Sequence, residues 1–191
     1  MQQFLLTGLG NVGEEYAHTR HNIGFDVVDT FCRKYNGEWK LQRHAFVAEI
    51  KLKGRKVVLI KPTTYMNLSG KAMKYWMDKY KVPLANTMTI VDDLALPLSK
   101  LRIRPSGSHA GHNGLANIQQ VLGTDVYPKM RFGIGDNFSR GKQVDYVLSK
   151  WAPGEFPVVV VKIDASVEAL ETFILQDIDA AMNQFNRRTF E

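Results

Sequence analysis

"FLLTGLGNVGEEYAHTRHNIGF", residues Phe4 to Phe25, decides how the rest of the chain is read. It opens with a short apolar run, Phe4 to Thr7, of the kind that forms a buried strand. Gly8-Leu9-Gly10-Asn11-Val12-Gly13 follows and matches the G-x-G-x-x-G pattern of a dinucleotide-binding turn. Two physical points count against that ligand. Glu14 and Glu15 sit just past the last glycine, where a pyrophosphate should meet bare amides at a helix N-terminus. The acidic residue that would hold a ribose hydroxyl should end a second strand, whereas Asp26 and Asp29 fall inside a helical pattern. The glycines are therefore expected to let the backbone turn sharply at a strand end.

Working outward, Ile23, Val27, Val28, Phe31 and Tyr35 recur at helical spacing and predict a helix from Asn22 to Tyr35. Phe46 to Leu52 alternates, Lys56 to Ile60 is β-branched, and Gly54-Arg55 between them predicts an antiparallel hairpin that Pro62 ends. A helix is expected over Leu68 to Tyr80, a buried strand over Thr87 to Val91, and an alternating strand over Leu98 to Arg104. Gly114 to Leu122 reads as a short helix closed by Gly123, and Lys129 to Gly135 as a strand. In the tail, Ile163, Val167, Leu170, Ile174, Ile178, Ala181 and Phe185 form one stripe, which predicts a single long C-terminal helix. Strands alternating with helices predict one α/β domain over residues 1–191, with a twisted, mainly parallel (mixed) sheet flanked by helices. In such a sheet, ligands gather at the carboxyl ends of the strands.

The bulk composition narrows the class. Hydrophobic residues make up 45% of the chain, enough for a full core. No signal-like start or membrane-length apolar run is present, which predicts a cytoplasmic protein without a membrane partner. The single cysteine, Cys32, excludes an internal disulfide and falls on an apolar helical face, as a buried structural thiol would. A net charge of +6 is compatible with an acidic partner such as nucleic acid.

Four stretches near strand ends carry unusual polar residues: Asn11 to Asn22, "KPTTYMNLSG" (Lys61 to Gly70), "VDDLALP" (Val91 to Pro97) and "SGSHAGHNG" (Ser106 to Gly114). Taken singly, Asn67 could be a cap, and His109 and His112 ordinary surface residues. Converging, they would line a pocket with a few directed polar groups. One reading is a metal-dependent hydrolase built on the pairs His18/His21 and His109/His112. Against it, a spacing of three residues brings two histidines to one face only in a helix, and Gly107, Gly111 and Gly114 make the second pair a loop. Another reading uses one histidine as base, a carboxylate to orient it, and asparagine amides as uncharged donors to an oxyanion. No Gly-x-Ser-x-Gly elbow or placed cysteine points to a covalent intermediate, so activated water is the expected nucleophile. A third reading is an RNA-binding module without catalysis.

"GLGNVGEEYAHTRHNIGF", "KPTTYMNLSG", "VDDLALP", "GHNGL" and "RFGIG", in this order and spacing, closely resemble the bacterial-type peptidyl-tRNA hydrolases. The resemblance implies a metal-free, cofactor-free, usually monomeric α/β enzyme that hydrolyses the ester between a peptide and the 3′ end of tRNA. By it, His21 matches the family's catalytic histidine and Asp92 its supporting aspartate, with Asp93 as neighbour. Asn11, Asn67 and Asn113 match the active-site asparagines. Tyr16, Asn22, Tyr65, Met66, Gly111 and His112 fall on positions lining the peptide and 3′-end cleft. Arg104, Arg131 and Arg140 match tRNA phosphate contacts, with Lys142 beside them, and Lys100, Arg102 and Arg104 would give one strand a basic face. Val12 stands where the family usually has proline. Valine is β-branched and stiff, so the loop is expected to keep its form.

Overall fold

The computed structural model describes all of residues 1–191. Seven strands form one sheet: β1 (Gln3–Gly8), β2 (Lys40–Gln42), β3 (Ala45–Leu52), β4 (Arg55–Pro62), β5 (Thr87–Asp93), β6 (Leu101–Arg104) and β7 (Lys129–Gly133). Their spatial order is β2-β3-β4-β1-β5-β7-β6. Strands β4, β1, β5 and β7 run parallel through the middle, and antiparallel pairings close both ends. The central strands are near-continuous apolar runs because both of their faces are covered. Phe4 and Leu6 face one core, with α1 (Ile23–Lys34), α5 (Phe156–Leu175) and α6 (Ile178–Phe185). Leu5 faces the other, with α2 (Ser69–Lys79) and α3 (Asn113–Leu122). Each fully buried large side chain contributes about 1.5–3 kcal/mol.

The expected hairpin is β3–β4, turning at Lys53 and Gly54. Cys32 is buried on α1. The expected single C-terminal helix is two. Asp177 leaves the helical conformation, and its carboxylate accepts the amide of Ala180 at 2.8 Å, so it caps α6 instead of continuing α5. Both pieces still bury their apolar stripe on the same core, which is why the periodicity ran through the break. No helix is long and apolar enough to cross a membrane.

The glycines of the first loop also act differently from expectation. Of the three, only Gly13 has a positive φ, at 122°. Gly8 serves close packing: a Cβ there would lie 2.2 Å from the carbonyl oxygen of Gly24. A Cβ on Gly24 would in turn lie 2.4 Å from the carbonyl oxygen of Ile90. These bare contacts press the start of α1 onto β1 and β5. The turn Arg20–Asn22, just before α1, thereby sits over the strand end that carries Asp92.

Candidate active site

Four segments meet at the carboxyl ends of the parallel strands. The loop after β1 brings Asn11, the turn before α1 brings His21, the end of β5 brings Asp92 and Asp93, and the segment entering α3 brings His109 to Asn113. With Met66, Arg131 and the short helix α4 (Gln143–Val147) they line a cleft of about 420 Å³.

Asp92 lies between two imidazoles. His21 Nδ1 is 2.9 Å from its Oδ2, and His112 Nε2 is 3.0 Å from its Oδ1. His112 Nδ1 accepts the amides of Gly114 at 3.1 Å and Leu115 at 3.3 Å, capping α3. That nitrogen therefore holds a lone pair, and the ring proton sits on Nε2, aimed at Asp92. His21 Nδ1–H donates to the same carboxylate, which leaves the lone pair of His21 on Nε2. Burial alone would raise the Asp92 carboxyl; the hydrogen bonds from His112 and His21 outweigh it and hold the group well below the usual carboxylate range. Burial pulls His21 down, but its hydrogen bond and attraction to Asp92 prevail, and its net shift is upward.

Asn11 is held from behind. The buried Asn22 accepts the amide of Asn11 at 2.8 Å and donates to its carbonyl at 2.9 Å. Val12, where the family usually has proline, is 45% exposed, and Asn22 holds both backbone polar atoms of Asn11. On the far wall, Asp93 Oδ1 accepts the amide of Ala95 at 2.8 Å, its Oδ2 stands 3.8 Å from Arg131 Nη1, and Arg131 donates to the carbonyl of Ser108.

Beyond Arg131 the sheet carries a basic face. In the β6–β7 register, Arg102 lies opposite Arg131 and Arg104 opposite Lys129, while Leu101 and Ile103 turn inward to the core. Arg131 and Lys129 are buried and already partnered, Arg131 by Asp93 and the carbonyl of Ser108, Lys129 by the carbonyls of Asp125 at 2.9 Å and Tyr127 at 3.1 Å, so the charges this face exposes are Arg102 and Arg104. Burial and the neighbouring Arg131 push the Lys129 ammonium down to about 8. Lys100, expected to share this face, instead donates to the carbonyl of Arg188 at 3.1 Å and to Thr189 at 2.9 Å.

The histidine pairs of the metal reading do not assemble. His18 Nδ1 lies 2.9 Å from Asp26 Oδ1, and His109 Nδ1 accepts the amide of Gly111 at 3.0 Å. Burial is the main reason the Asp26 carboxyl stands up at about 6. The group with metal-compatible spacing is His21, Asp92 and His112, whose ligand atoms lie within 4.8 Å of one another. It suits a metal poorly. A ligating imidazole donates its second N–H to an acceptor, whereas His112 Nδ1 faces two donors.

The sequence profile of the family described as peptidyl-tRNA hydrolase matches residues 5–191. The chain belongs to that family. A peptidyl-tRNA hydrolase of Parabacteroides distasonis is 47% identical over 186 residues, covering 97% of this chain and 100% of the relative. One from Bacteroides fragilis is 46% identical, again over 97% of this chain and 100% of the relative. The crystal structure of peptidyl-tRNA hydrolase from Acinetobacter baumannii superposes with a TM-score of 0.91 at 31% identity, over 97% of this chain and 95% of that chain.

Of the residues singled out by the family resemblance, Asn11, His21, Met66, Asp92, Gly111, His112, Asn113 and Arg131 line one cleft. Tyr16 and Tyr65 line an adjoining groove of about 580 Å³ that shares Asn11 and Leu148 with it. Asn22 stands behind Asn11, on a separate hollow of about 210 Å³. Asn67 is exposed on the turn Met66–Leu68, outside the cleft lining. Arg104 is exposed on β6, and Arg140 and Lys142 are exposed before α4, with Lys142 3.8 Å from Asp145. Sequence reasoning missed α4, whose Val144 and Val147 face the cleft at helical spacing, a signal too short to stand out. It also missed Arg20, which binds Glu155 at 2.6 Å and the carbonyl of Lys150 at 2.9 Å, and stacks 4.2 Å from the Tyr146 ring. This tie fastens the α4 segment to the turn carrying His21, between residues too distant in sequence to leave a local signal.

Proposed function

We propose that the protein hydrolyses the ester joining a peptide to the 3′ end of tRNA, in the cytoplasm and as a single chain, and so returns tRNA released from ribosomes to use. The observation that supports this most is the placement of Asp92 between the His21 and His112 rings at the wall of a cleft. His112 donates to one oxygen of the carboxylate, and His21 Nδ1 lies 2.9 Å and 3.1 Å from the two oxygens, which orients His21 with its proton on Nδ1. Nε2 of His21 takes a proton from water, and the hydroxide oxygen bonds to the ester carbonyl carbon. The tetrahedral intermediate collapses as its bond to the tRNA 3′ oxygen breaks, and that oxygen leaves as a hydroxyl with the proton from His21. The side-chain amides of Asn11 and Asn113 place the attacking water and supply uncharged donors to the developing oxyanion. Met66, Gly111, Tyr16 and Tyr65 hold the peptide and the terminal nucleotide, with Asn67 at the rim.

Arg104, Arg131, Arg140 and Lys142 hold tRNA phosphates, and Arg102 joins them. The exposure of Arg102 and Arg104 on one face of the four-residue strand β6 supports this role, because two neighbouring exposed cations attract a polyanion. The test is to incubate the protein with N-acylated aminoacyl-tRNA and follow ester loss with and without a chelator. Loss that survives chelation is expected. Loss abolished by chelation would point to metal chemistry, and tight binding without ester loss would leave only an RNA-binding module.

A further inference from the structure

Strand β6 lies at the edge of the sheet, so one side of its backbone has no neighbouring strand. Asn186, just past α6, fills that place. Its Oδ1 accepts the amide of Ile103 at 2.7 Å, and its Nδ2 donates to the carbonyl of the same residue at 2.9 Å. One side-chain amide thus reproduces both hydrogen bonds that a further strand would make to Ile103. The chain after Asn186 continues the strap. Lys100 donates to Arg188 and Thr189, the amide of Phe190 donates to the carbonyl of Ser99 at 2.9 Å, and the Phe190 side chain is buried.

The clamped residue lies between Arg102 and Arg104, whose side chains stand opposite Arg131 and Lys129. The two arginines are exposed, and the clamp holds the middle of a strand of only four residues, between them. We infer that Asn186 is a positioning residue for tRNA: it holds β6 against β7 so that Arg102 and Arg104 present their charges in fixed register to the acceptor-stem phosphates. It touches no substrate atom and acts through the strand. The inference rests on the proposed phosphate role of this face.

Two substrates separate the possibilities: N-acetyl-aminoacyl-tRNA, and the same N-acetyl-aminoacyl ester on adenosine alone, which has no stem to reach β6. Asn186→Ala is expected to raise KM for the tRNA ester by roughly three- to tenfold through two lost hydrogen bonds. It should flatten the salt dependence of tRNA binding and leave kcat/KM for the adenosine ester unchanged. Asn186→Asp keeps the acceptor for the Ile103 amide but sets an oxygen against its carbonyl, so it should behave like the alanine variant. Amide exchange at Ile103 should quicken in both, with Tm lowered by a few degrees. A parallel fall on both substrates would reduce Asn186 to a structural residue, and an unchanged KM for tRNA would remove it from binding; either result overturns the inference. Arg104→Ala, run alongside, tests the surface itself. If it too leaves the tRNA KM unchanged, the phosphate role of this face fails; if it raises KM while Asn186→Ala does not, only the clamp fails.

Discussion

Asn22 grips the backbone of Asn11 on both polar atoms, taking its amide at 2.8 Å and giving to its carbonyl at 2.9 Å. The grip holds the residue whose amide side chain lines the wall beside His21. Asn22→Leu keeps the volume and removes both hydrogen bonds. We predict a kcat lower by roughly 10- to 100-fold, because small misplacements of a reacting or donor group are costly, with little change in tRNA affinity. Steady-state kinetics and a tRNA-binding titration check this. A full kcat in this variant would mean that Asn11 is held by something else.

His112 has two tasks that one substitution exposes together. It caps α3 through Nδ1 and donates to Asp92 through Nε2. His112→Ala should lower stability by about 1 kcal/mol for the lost cap. It should also lower kcat by roughly tenfold as Asp92 loses one of its two oriented donors. Denaturant melts and initial rates at one pH measure both. Loss of stability with an unaltered kcat would show that the donor to Asp92 is dispensable.

The pH dependence follows from the same geometry. His21 must be neutral to accept a proton, and its hydrogen bond to Asp92 prevails over burial to lift it above the ordinary 6.5. kcat should therefore fall as pH drops through a point above 6.5. Asp92→Asn removes the lifting charge and leaves burial, which acts downward. The acid limb should then move to lower pH, while the plateau falls by about 10²–10⁴. An acid limb that stays in place would mean that the titrating group is not His21.

Much of this could be read from the chain before any coordinates. The strands announced themselves because the middle of a parallel sheet is apolar on both faces, and the helix stripes because each buries one side. The break at Asp177 was hidden because α5 and α6 rest on one core, so their common stripe masked a cap that "DIDA" already spells. His21 and Asp92 were legible as residue types suited to base chemistry, but their pairing spans a separation of 71 residues, and only the resemblance joined them. Asn22 shows the limit most clearly. The resemblance set it among the residues lining the cleft, yet its side chain holds the backbone of Asn11 from behind the wall, which no spacing encodes. Arg20, Glu155 and the Asn186 clamp are likewise contacts between distant segments.

Lys162 offers a test of the core beneath the site. It is fully buried on α5 and donates to the carbonyls of Leu98 at 2.6 Å and Gly133 at 2.8 Å. Burial pushes its ammonium down to about 7. Above that pH the folded protein has released a proton that the unfolded chain keeps until its ordinary 10.5. The unfolded state then binds more protons, so stability rises with pH through this window. Lys162→Met should make the rise between about 7 and 8 shallower, leaving the part that Lys129 contributes as it titrates near 8. Thermal melts in steps across this range decide it. An identical slope in the variant would show that Lys162 stays charged in the fold.

The most direct measurement concerns His21 itself. Single-turnover hydrolysis of N-acetyl-aminoacyl-tRNA by wild type and His21→Ala, each in the presence of a chelator, isolates the chemical step from binding. The account predicts full wild-type turnover, a rate about 10²–10⁴ lower in the variant, and equal tRNA affinity for the two. A His21→Ala protein that folds, binds tRNA and still cleaves the ester at the wild-type rate would contradict it.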